Sequence, residues 1–394
     1  MIDQNKIPHL MKYMGSKREL IGFITDSIKE LNIESKWFCD LFSGTTIVGT
    51  SLRDEYNIHI NDIQSYSAII ANTYFHNLRK NISLKELDVI KKRVISLVNE
   101  FYTNYPEYNF DYNIITNFSS LQALENQQQE LLKNNFEIGF HLFAKNYSGT
   151  YWSYNQCIWI DSIRGVAEEY IDQPEYDLIL SSLIFAMSYT SQSTGHFAQF
   201  RKVTESNMED ILFYRKKEIW PLFEKKFLEL VSQIDYDTVN KFRITSLDYL
   251  DCLRIIEENT IVYADPPYSF VHYSRFYHAI ETLVRYDYPQ IKYKGRYRDD
   301  RHQSPFCKRT EVRNAFKKMF ECIKVRKSHL ILSYSDNGMI TQKEIEDIGK
   351  EIFGSEYKCV IKSKEYIHSK MGRSDEKDMD VNELIITYKK ISHG

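Results

Sequence analysis

The residues with the clearest chemical potential are Asp265, Pro266, Pro267 and Tyr268, which directly follow the apolar run 261–264. An apolar, β-branched run predicts a buried strand, and neither proline can continue that strand as a hydrogen-bond donor. The backbone must therefore leave the sheet here, presenting the Asp265 carboxylate and the Pro266 carbonyl as acceptors beside the Tyr268 ring. Two acceptors next to a flat apolar face suit a planar amine, such as the exocyclic nitrogen of a nucleobase.

A second candidate site begins at Asp40, in the segment 40–44, where a predicted strand at 37–42 meets a helix predicted from Ile47. Gly44 lets the backbone approach a ligand closely, and strand ends of this kind bind nucleotides in open α/β sheets. Asp62 ends the next strand and can accept both ribose hydroxyls of an adenosyl ligand. A helix cap or a turn explains each piece alone, but together and in this order they predict a cofactor site.

Two further segments are candidates for contacts with the same ligand. Asp248 follows the predicted strand 242–245 and could accept a hydrogen bond from an adenine amine, although an ordinary loop acid has the same pattern. Tyr13 and Lys17 lie at the start of a predicted helix, 16–31, and could hold a carboxylate at its N-terminus. A simple Gly-Ser helix cap is the alternative interpretation.

The bulk composition limits the class of protein. Hydrophobic content of 43% with 27% charged residues is typical of a soluble globular protein. No apolar run approaches the roughly 18 residues of a membrane span, and residues 1–10 lack the apolar core of a secretory signal, so we expect a cytoplasmic protein. Six cysteines without a Cys-x-x-Cys pair predict reduced, buried thiols and no metal site.

One basic segment stands out against a net charge of −3. Residues 290–327 contain thirteen Lys and Arg against four acids. Such a patch can bind phosphates even on a mildly acidic protein, whereas a solvated loop and helix face is the alternative. Because the segment follows Asp265 closely, we predict contact with a nucleic-acid backbone through Lys292, Lys294, Arg296 and Arg298.

The secondary-structure pattern predicts one α/β domain that is interrupted by a helical insertion. The order strand–turn–helix–strand over 37–60 begins a parallel, doubly wound sheet, and the strand pattern resumes only at 242. We therefore predict a discontinuous catalytic domain, 1–75 and 240–394, and a mostly helical insertion, 76–239. The sequence predicts helices at 16–31, from 47, at 83–101, 119–133, 155–171, 177–190 and 208–233, and strands at 37–42, 58–60, 242–245, 260–264, 329–333, 357–362 and 383–388.

In this order, the parts resemble the alpha group of adenine-specific DNA methyltransferases, the Dam-like enzymes. That family has a Tyr/Trp-x-Gly-x-Lys segment, an Asp-x-Phe-x-Gly loop, a target-recognition insertion and then Asp-Pro-Pro-Tyr. Here the three motifs stand at 13–17, 40–44 and 265–268, and segment 272–282 is similar to members from restriction–modification systems. Thr46 departs from the pattern, since the family usually has a second glycine there.

The resemblance implies a Rossmann-like, S-adenosylmethionine-dependent methyltransferase sheet with an inserted target-recognition domain. It implies methylation of adenine N6, on a base flipped out of double-stranded DNA, with a restriction endonuclease as a possible partner and a monomer or dimer as the working form. The implied catalytic residues are Asp265, Pro266 and Tyr268, and the implied cofactor contacts are Tyr13, Lys17, Asp40, Phe42, Ser43, Gly44, Asp62, Asp248 and Asp265.

Within the insertion, the resemblance is confined to 147–164 and 190–200. It offers as DNA contacts Tyr147, Tyr151, Trp152, His196 and Arg201. Buried structural aromatics and a hydrogen-bonded core histidine are the competing interpretation of these residues.

Rival functions remain open from the sequence. The same chemistry could act on RNA or on cytosine N4. Enzymes that methylate a protein glutamine normally have Asn at the position of Asp265, which disfavours that function here. A catalytically silent nucleic-acid-binding module would have lost cofactor residues, and Tyr13, Lys17, Asp62 and Asp265 are all present.

Overall fold

A computed structural model describes residues 7–76, 82–193, 195–234, 240–270, 272–367 and 380–391. The strands in these residues are β1 (Trp37–Asp40), β2 (Asn57–Asn61), β3 (Phe242–Thr245), β4 (Ile261–Ala264), β5 (Ile291–Lys292), β6 (Tyr297–Arg298), β7 (His329–Ser335), β8 (Tyr357–Ile367) and β9 (Asp380–Lys390). Seven of them form one sheet in the order β3-β2-β1-β4-β7-β9-β8, and β5 pairs with β6 in a separate hairpin. Parallel pairing runs from β3 to β7, while β9 is antiparallel to both β7 and β8. The sheet confirms the predicted α/β class.

The sheet has its topological switch point between β1 and β4. From β1 the chain moves to β2 and β3 on one side, and the later strands β4 and β7 lie on the other. Asp40 at the end of β1 is paired in register with Tyr263 of β4. The 40–44 loop and the Asp265 motif therefore leave the sheet side by side, at the edge where open α/β sheets bind ligands.

Helices cover both faces of this sheet. They are α1 (Ile21–Glu30), α2 (Ile47–Ser51), α3 (Ser65–Phe75), α4 (Leu84–Asn104), α5 (Phe118–Glu130), α6 (Leu142–Tyr147), α7 (Tyr154–Ala167), α8 (Pro174–Thr190), α9 (Met208–Arg215), α10 (Ile219–Gln233), α11 (Tyr249–Ile255), α12 (Tyr273–Phe276), α13 (His278–Arg285), α14 (Val312–Val325) and α15 (Gln342–Phe353). None of the described helices has both the length and the apolar character needed to cross a membrane.

The two faces of the sheet belong to two different hydrophobic cores. Phe38 and Tyr263 point into a large core that also contains the helices of the 76–239 segment. Their chain neighbours Cys39 and Val262 point into a second core, formed with α11, α14 and α15. Alternate strand residues face opposite sides of a sheet. Adjacent residues of β1, and likewise of β4, therefore pack into different cores. The inserted helices therefore belong to the core on one face of the sheet, where α8 packs against α3.

Two predicted helices differ from the structure. The predicted helix 16–31 is a 3₁₀ turn at Arg18–Leu20 followed by α1, and neither start has a side-chain cap. The predicted helix 208–233 is two helices, α9 and α10, separated at 216–218. Pro221 explains the break, since its ring would clash with the carbonyl four residues earlier in a continuous helix but is tolerated in a first turn.

The sequence patterns also missed α3. This helix follows β2 immediately and packs against α8 of the inserted segment. It is buried on most sides, with eight of its eleven residues buried, including the polar Ser67 and Thr73. A helix buried on several sides lacks the one-sided periodicity that reveals a surface helix.

Candidate active site

A deep cleft lies at the β1–β4 switch point. It encloses about 1030 Å³ between its walls, a volume that includes open solvent at its mouth. All of the residues predicted for the cofactor and for catalysis line it: Tyr13, Lys17, Asp40, Phe42, Ser43, Gly44, Asp62, Asp248, Asp265, Pro266 and Tyr268. The structure thus brings together segments that are up to about 250 positions apart in the sequence.

Asp265 is one of three charged groups in contact at the floor of the cleft. The Lys17 ammonium lies 3.2 Å from Asp265 Oδ1 and 2.7 Å from Glu383 Oε1. Burial is the main reason that the pKa of Asp265 is raised to about 7, and Glu383 raises it further while Lys17 lowers it. Near neutral pH, this carboxylate is therefore both an acceptor and a group able to hold a proton.

Lys17 lies in the lining of the cleft, where protein groups already contact its ammonium. The sequence predicts that Lys17 holds a cofactor carboxylate at a helix N-terminus, but its side chain is buried and bound to Asp265 and Glu383. Gly15, with φ of +74°, turns the chain just before it. The Lys17 ammonium is therefore paired with two protein carboxylates, its contact with a cofactor stays a prediction, and no side-chain cap forms at this helix start.

The 40–44 loop is braced by two carboxylates. Asp62 accepts hydrogen bonds from the Gly44 and Gln64 amides, each at 2.9 Å. Asp40 accepts from the Gly49 amide of α2, also at 2.9 Å, and is only 1% exposed. Burial raises the pKa of both acids. Asp40 therefore supports the loop from behind, whereas the half-buried Asp62 keeps unused lone pairs for ligand hydroxyls.

Gly44 and Thr46 both adopt left-handed backbone conformations in this loop. A Cβ on Gly44, whose φ is +51°, would lie 2.8 Å from the Tyr13 hydroxyl oxygen, so any side chain there would force Tyr13 to shift. Thr46 has φ of +62°, a conformation that costs a β-branched residue roughly 1–2 kcal/mol. Its family counterpart, usually glycine, takes this conformation without strain. The turn is therefore kept here despite the substitution, with Thr46 buried and its hydroxyl 3.3 Å from that of Thr50.

Aromatic side chains form two walls of the cleft. Tyr13 stacks on Tyr277 and Tyr273, with ring centroids 4.6 and 5.6 Å apart. Phe42 stacks on Tyr249 at 5.9 Å and meets Phe306 edge-on at 5.4 Å. Flat apolar walls of this kind suit a heterocyclic ligand.

The other predicted residues hold the walls in place. Asp248 accepts a hydrogen bond from the Leu250 amide at 2.9 Å and so caps α11. Ser43 is buried, with its hydroxyl 3.0 Å from that of Ser67. Tyr268 is partly buried at the cleft beside Asp265, and its ring meets Tyr334 edge-on at 6.2 Å.

The structure corrects the predicted DNA contacts of Tyr151 and Trp152, because both side chains are fully buried. Tyr151 donates to the carbonyl oxygens of Phe197 and, at 2.9 Å, of Gly295. Trp152 Nε1 donates to the hydroxyl of Thr190 at 3.2 Å. These rings hold the 195–200 loop in place and have no free face for DNA.

The other candidates in the insertion also make protein contacts. Tyr147 is fully buried. His196 is partly exposed, and its ring stacks on Phe276 at 4.2 Å. Arg201 forms an ion pair with Asp210 and is about one quarter exposed. His196 and Arg201 therefore remain predicted DNA contacts.

The basic segment is less available than its local charge indicated. Arg298 is 1% exposed and binds Asp287 through both terminal nitrogens, at 2.7 and 2.8 Å, so its predicted phosphate contact is corrected to a structural ion pair. Arg296 Nε donates to the Asn146 carbonyl at 2.8 Å. Several other cations pair with acids from outside the segment, which a local charge count cannot include: Lys317 with Glu351, Lys324 with Glu356 and Lys327 with Glu258.

Lys292 and Lys294 remain the exposed members of the predicted set. They flank Tyr293 in the β5–β6 hairpin, where that ring is 74% exposed. The Lys292 ammonium is 3.0 Å from Asp299 across the hairpin, but about half of the Lys292 side chain stays exposed to solvent.

Some residues in the cleft or directly behind it were not predicted from the sequence. Glu383 is the most important, because it binds Lys17 across 366 positions of sequence. Its only signal is an acid directly before the apolar run 384–386 of β9. Tyr249 and Pro305 also line the cleft but had no motif that distinguished them, and Tyr273 lies in the family-like segment 272–282 but was not singled out as a site residue.

Comparison with known proteins connects this cleft to a family. The sequence profile of the D12 class N6 adenine-specific DNA methyltransferases matches residues 13–348. Modification methylase LlaI of Lactococcus lactis subsp. lactis is 26% identical over 96% of this chain and 55% of its own length. Type II methyltransferase M.FokI of Planomicrobium okeanokoites is 27% identical over 86% of this chain and 47% of its own length. The chain thus spans about half the length of these two relatives.

A shorter relative is covered more completely. Type II methyltransferase M.NlaIII of Neisseria lactamica is 23% identical over 86% of this chain and 87% of its own length. Both the long and the short relatives match most of this chain. The family profile, over residues 13–348, includes every residue that lines the cleft.

Proposed function

The chain belongs to the D12 class N6 adenine-specific DNA methyltransferase family, and from this premise we propose that it transfers the methyl group of S-adenosylmethionine to adenine N6 in duplex DNA. The observation that carries the proposal is the place of Asp265. It lies at the sheet's switch point, on the floor of a cleft whose other walls are the 40–44 loop and Asp62.

The donor set of the cleft fits S-adenosylmethionine. Asp62 offers carboxylate lone pairs to the ribose hydroxyls, and Phe42 with Tyr249 offers a stacked apolar wall to the adenine ring. Gly44 provides a close backbone approach, which a Cβ would block. When bound, the cofactor supplies an electrophilic methyl carbon on a charged sulfur, which keeps the electron pair of the broken carbon–sulfur bond.

Asp265 and Pro266 act on the target amine. The lone pair of adenine N6 is delocalised into the ring, so the free base is a poor nucleophile. The Asp265 carboxylate and the Pro266 carbonyl each accept a hydrogen bond from one of its two N–H groups. These hydrogen bonds localise the lone pair and stabilise the positive charge that develops on nitrogen. The methylated nitrogen then releases one proton, and Asp265, with a pKa raised to about 7, can receive it.

The target adenine must leave the duplex to reach this position, at a cost of a few kcal/mol. Tyr268 lines the cleft beside Asp265 and stacks on the extruded base, a type of contact that contributes about 1–3 kcal/mol. In this proposal, the 76–239 segment is the target-recognition domain. Support comes from the 195–200 loop, where the Phe197 amide donates to the Phe276 carbonyl at 2.7 Å, close to the cleft residue Tyr273.

The names of the relatives extend the proposal to a biological setting. LlaI is named a modification methylase and M.FokI a type II methyltransferase. We place this chain, by analogy, in a restriction–modification system in which it protects the sites that an endonuclease cleaves.

One experiment tests the activity and identifies the site. The protein is expressed in cells that lack adenine methylation, and the genome is sequenced for modified bases, with Asp265→Ala as control. The expected result is N6-methyladenine in one short sequence motif, absent from the control. Modified cytosines, or no modified base from a folded protein, would overturn the proposal.

A further inference from the structure

Glu383 of β9 is a buried carboxylate at the catalytic floor. It is 1% exposed, and its Oε1 accepts from Lys17 Nζ at 2.7 Å and from the Ser333 hydroxyl of β7. Its Oε2 has no hydrogen-bond partner among the described residues. A buried carboxylate with one unpaired oxygen is costly, so packing alone is a poor explanation for an acid at this position.

Lys17 is shared unequally between two carboxylates. Its ammonium is 0.5 Å closer to Glu383 than to Asp265, at 2.7 against 3.2 Å. A lysine has three donors and one positive charge. When Asp265 is ionised, one cation between two carboxylates leaves a net negative charge on the floor, which is favourable beside a cationic sulfur.

We propose that Glu383 is a positioning residue, which anchors the Lys17 ammonium so that Asp265 keeps its carboxylate available to the substrate amine. The inference rests on the proposed methyl transfer at Asp265. If Glu383 were neutral, Lys17 would be free to form a full ion pair with Asp265. That pair would reduce the negative charge on the Asp265 oxygen that must accept a hydrogen bond from the adenine N–H group.

The electrostatics of Asp265 agree with this geometry. Burial raises its pKa most, Lys17 lowers it, and Glu383 raises it. The other titratable groups facing it are Tyr263 of β4 and Tyr273 of α12, with Asp40 of β1 nearby. Among these groups, Glu383 is the one that counteracts Lys17 through direct contact with it. Loss of its charge should therefore lower the pKa of Asp265.

The test is the pH dependence of kcat/KM for methyl transfer in the full-length Glu383→Gln variant. Gln keeps the shape and one acceptor but removes the charge. Because Asp265 acts as a carboxylate, wild-type activity falls as the pH drops through about 7. In Glu383→Gln, the acidic limb should move down by about one pH unit, with kcat at the optimum reduced roughly tenfold. An acidic limb and a kcat equal to those of wild type would overturn the proposal.

Two matched variants separate charge from shape. Ser333→Ala removes a hydrogen bond to Glu383 but no charge, so the acidic limb should stay in place. Glu383→Asp keeps the charge but retracts it, so the acidic limb should stay while kcat falls several-fold. If Glu383→Gln is recovered unfolded, the Asp variant decides alone, since a wild-type kcat from it would overturn positioning by Glu383.

The failure of the inference can be told apart from failure of the proposed function. An inactive wild-type protein would refute methyl transfer itself. An active wild type with an inactive Asp265→Ala variant, together with a Glu383→Gln variant of unchanged pH profile, would refute only the role of Glu383.

Discussion

The cleft and the inserted helical segment differ in how directly their functional residues could be seen in the sequence. Each residue predicted for the cofactor or catalysis lines one cleft. In the insertion, by contrast, Tyr147, Tyr151 and Trp152 proved to be fully buried. The difference teaches that a polar residue at a strand end has a predictable place, because the strand fixes where the backbone leaves the sheet. An aromatic residue on a helix has no such marker.

The largest effect should come from Asp265→Ala. Loss of the acceptor should reduce methyl transfer by about 1000-fold or more while Tm stays close to wild type, because the residue lies at a strand tip. Single-turnover transfer to a cognate duplex measures it. Asp251→Ala, on an exposed site of α11, is the matched control and should retain full activity. A fully active Asp265→Ala protein would show that methyl transfer does not depend on Asp265.

Trp152→Ala tests the other side of the comparison. The fully buried ring should leave a cavity that costs about 3–5 kcal/mol of stability, so thermal unfolding should occur at a clearly lower temperature. Any loss of DNA binding should follow the loss of folded protein. Weak DNA binding by a variant with unchanged Tm would instead indicate that Trp152 contacts DNA directly.

Tyr268 should have an intermediate effect. Tyr268→Ala removes a stacking face worth about 1–3 kcal/mol, which corresponds to roughly 5- to 150-fold in kcat/KM. Tyr268→Phe keeps the ring and should stay within about threefold of wild type. Fluorescence of a duplex with 2-aminopurine at the target position reports extrusion of the base. Equal extrusion by both variants would show that the ring packs in the protein without touching the base.

The smallest effect is expected at the exposed end of the basic segment. Lys294→Ala should weaken DNA binding modestly and reduce the salt dependence of log K by about 0.9 for each phosphate that the variant no longer neutralises. Lys317→Ala is the matched control, because that lysine pairs with Glu351. Titrations at several salt concentrations measure both slopes. Identical slopes in wild type and Lys294→Ala would exclude the hairpin from the DNA interface.

The limits of sequence reasoning follow from the distance between partners. The α/β class and the family resemblance were confirmed, because Asp40 ends a strand, and Asp62 and Asp265 each follow one, with a local pattern. The pairing of the Lys17 ammonium with Glu383 joins residues 366 positions apart, which no local pattern reveals. Arg298 looked like a free cation until Asp287 and Asp300 were seen on either side of it. The break before α10 had a local signal in Pro221, which the hydrophobic periodicity concealed.

The most direct test of the central claim is a calorimetric titration of the protein with S-adenosylmethionine. One molecule should bind per chain, and Asp62→Ala should weaken binding about tenfold or more, since it removes the acceptors for two ribose hydroxyls. A folded wild-type protein that binds no S-adenosylmethionine, or an Asp62→Ala variant that binds it as tightly as wild type, would contradict the assignment of this cleft.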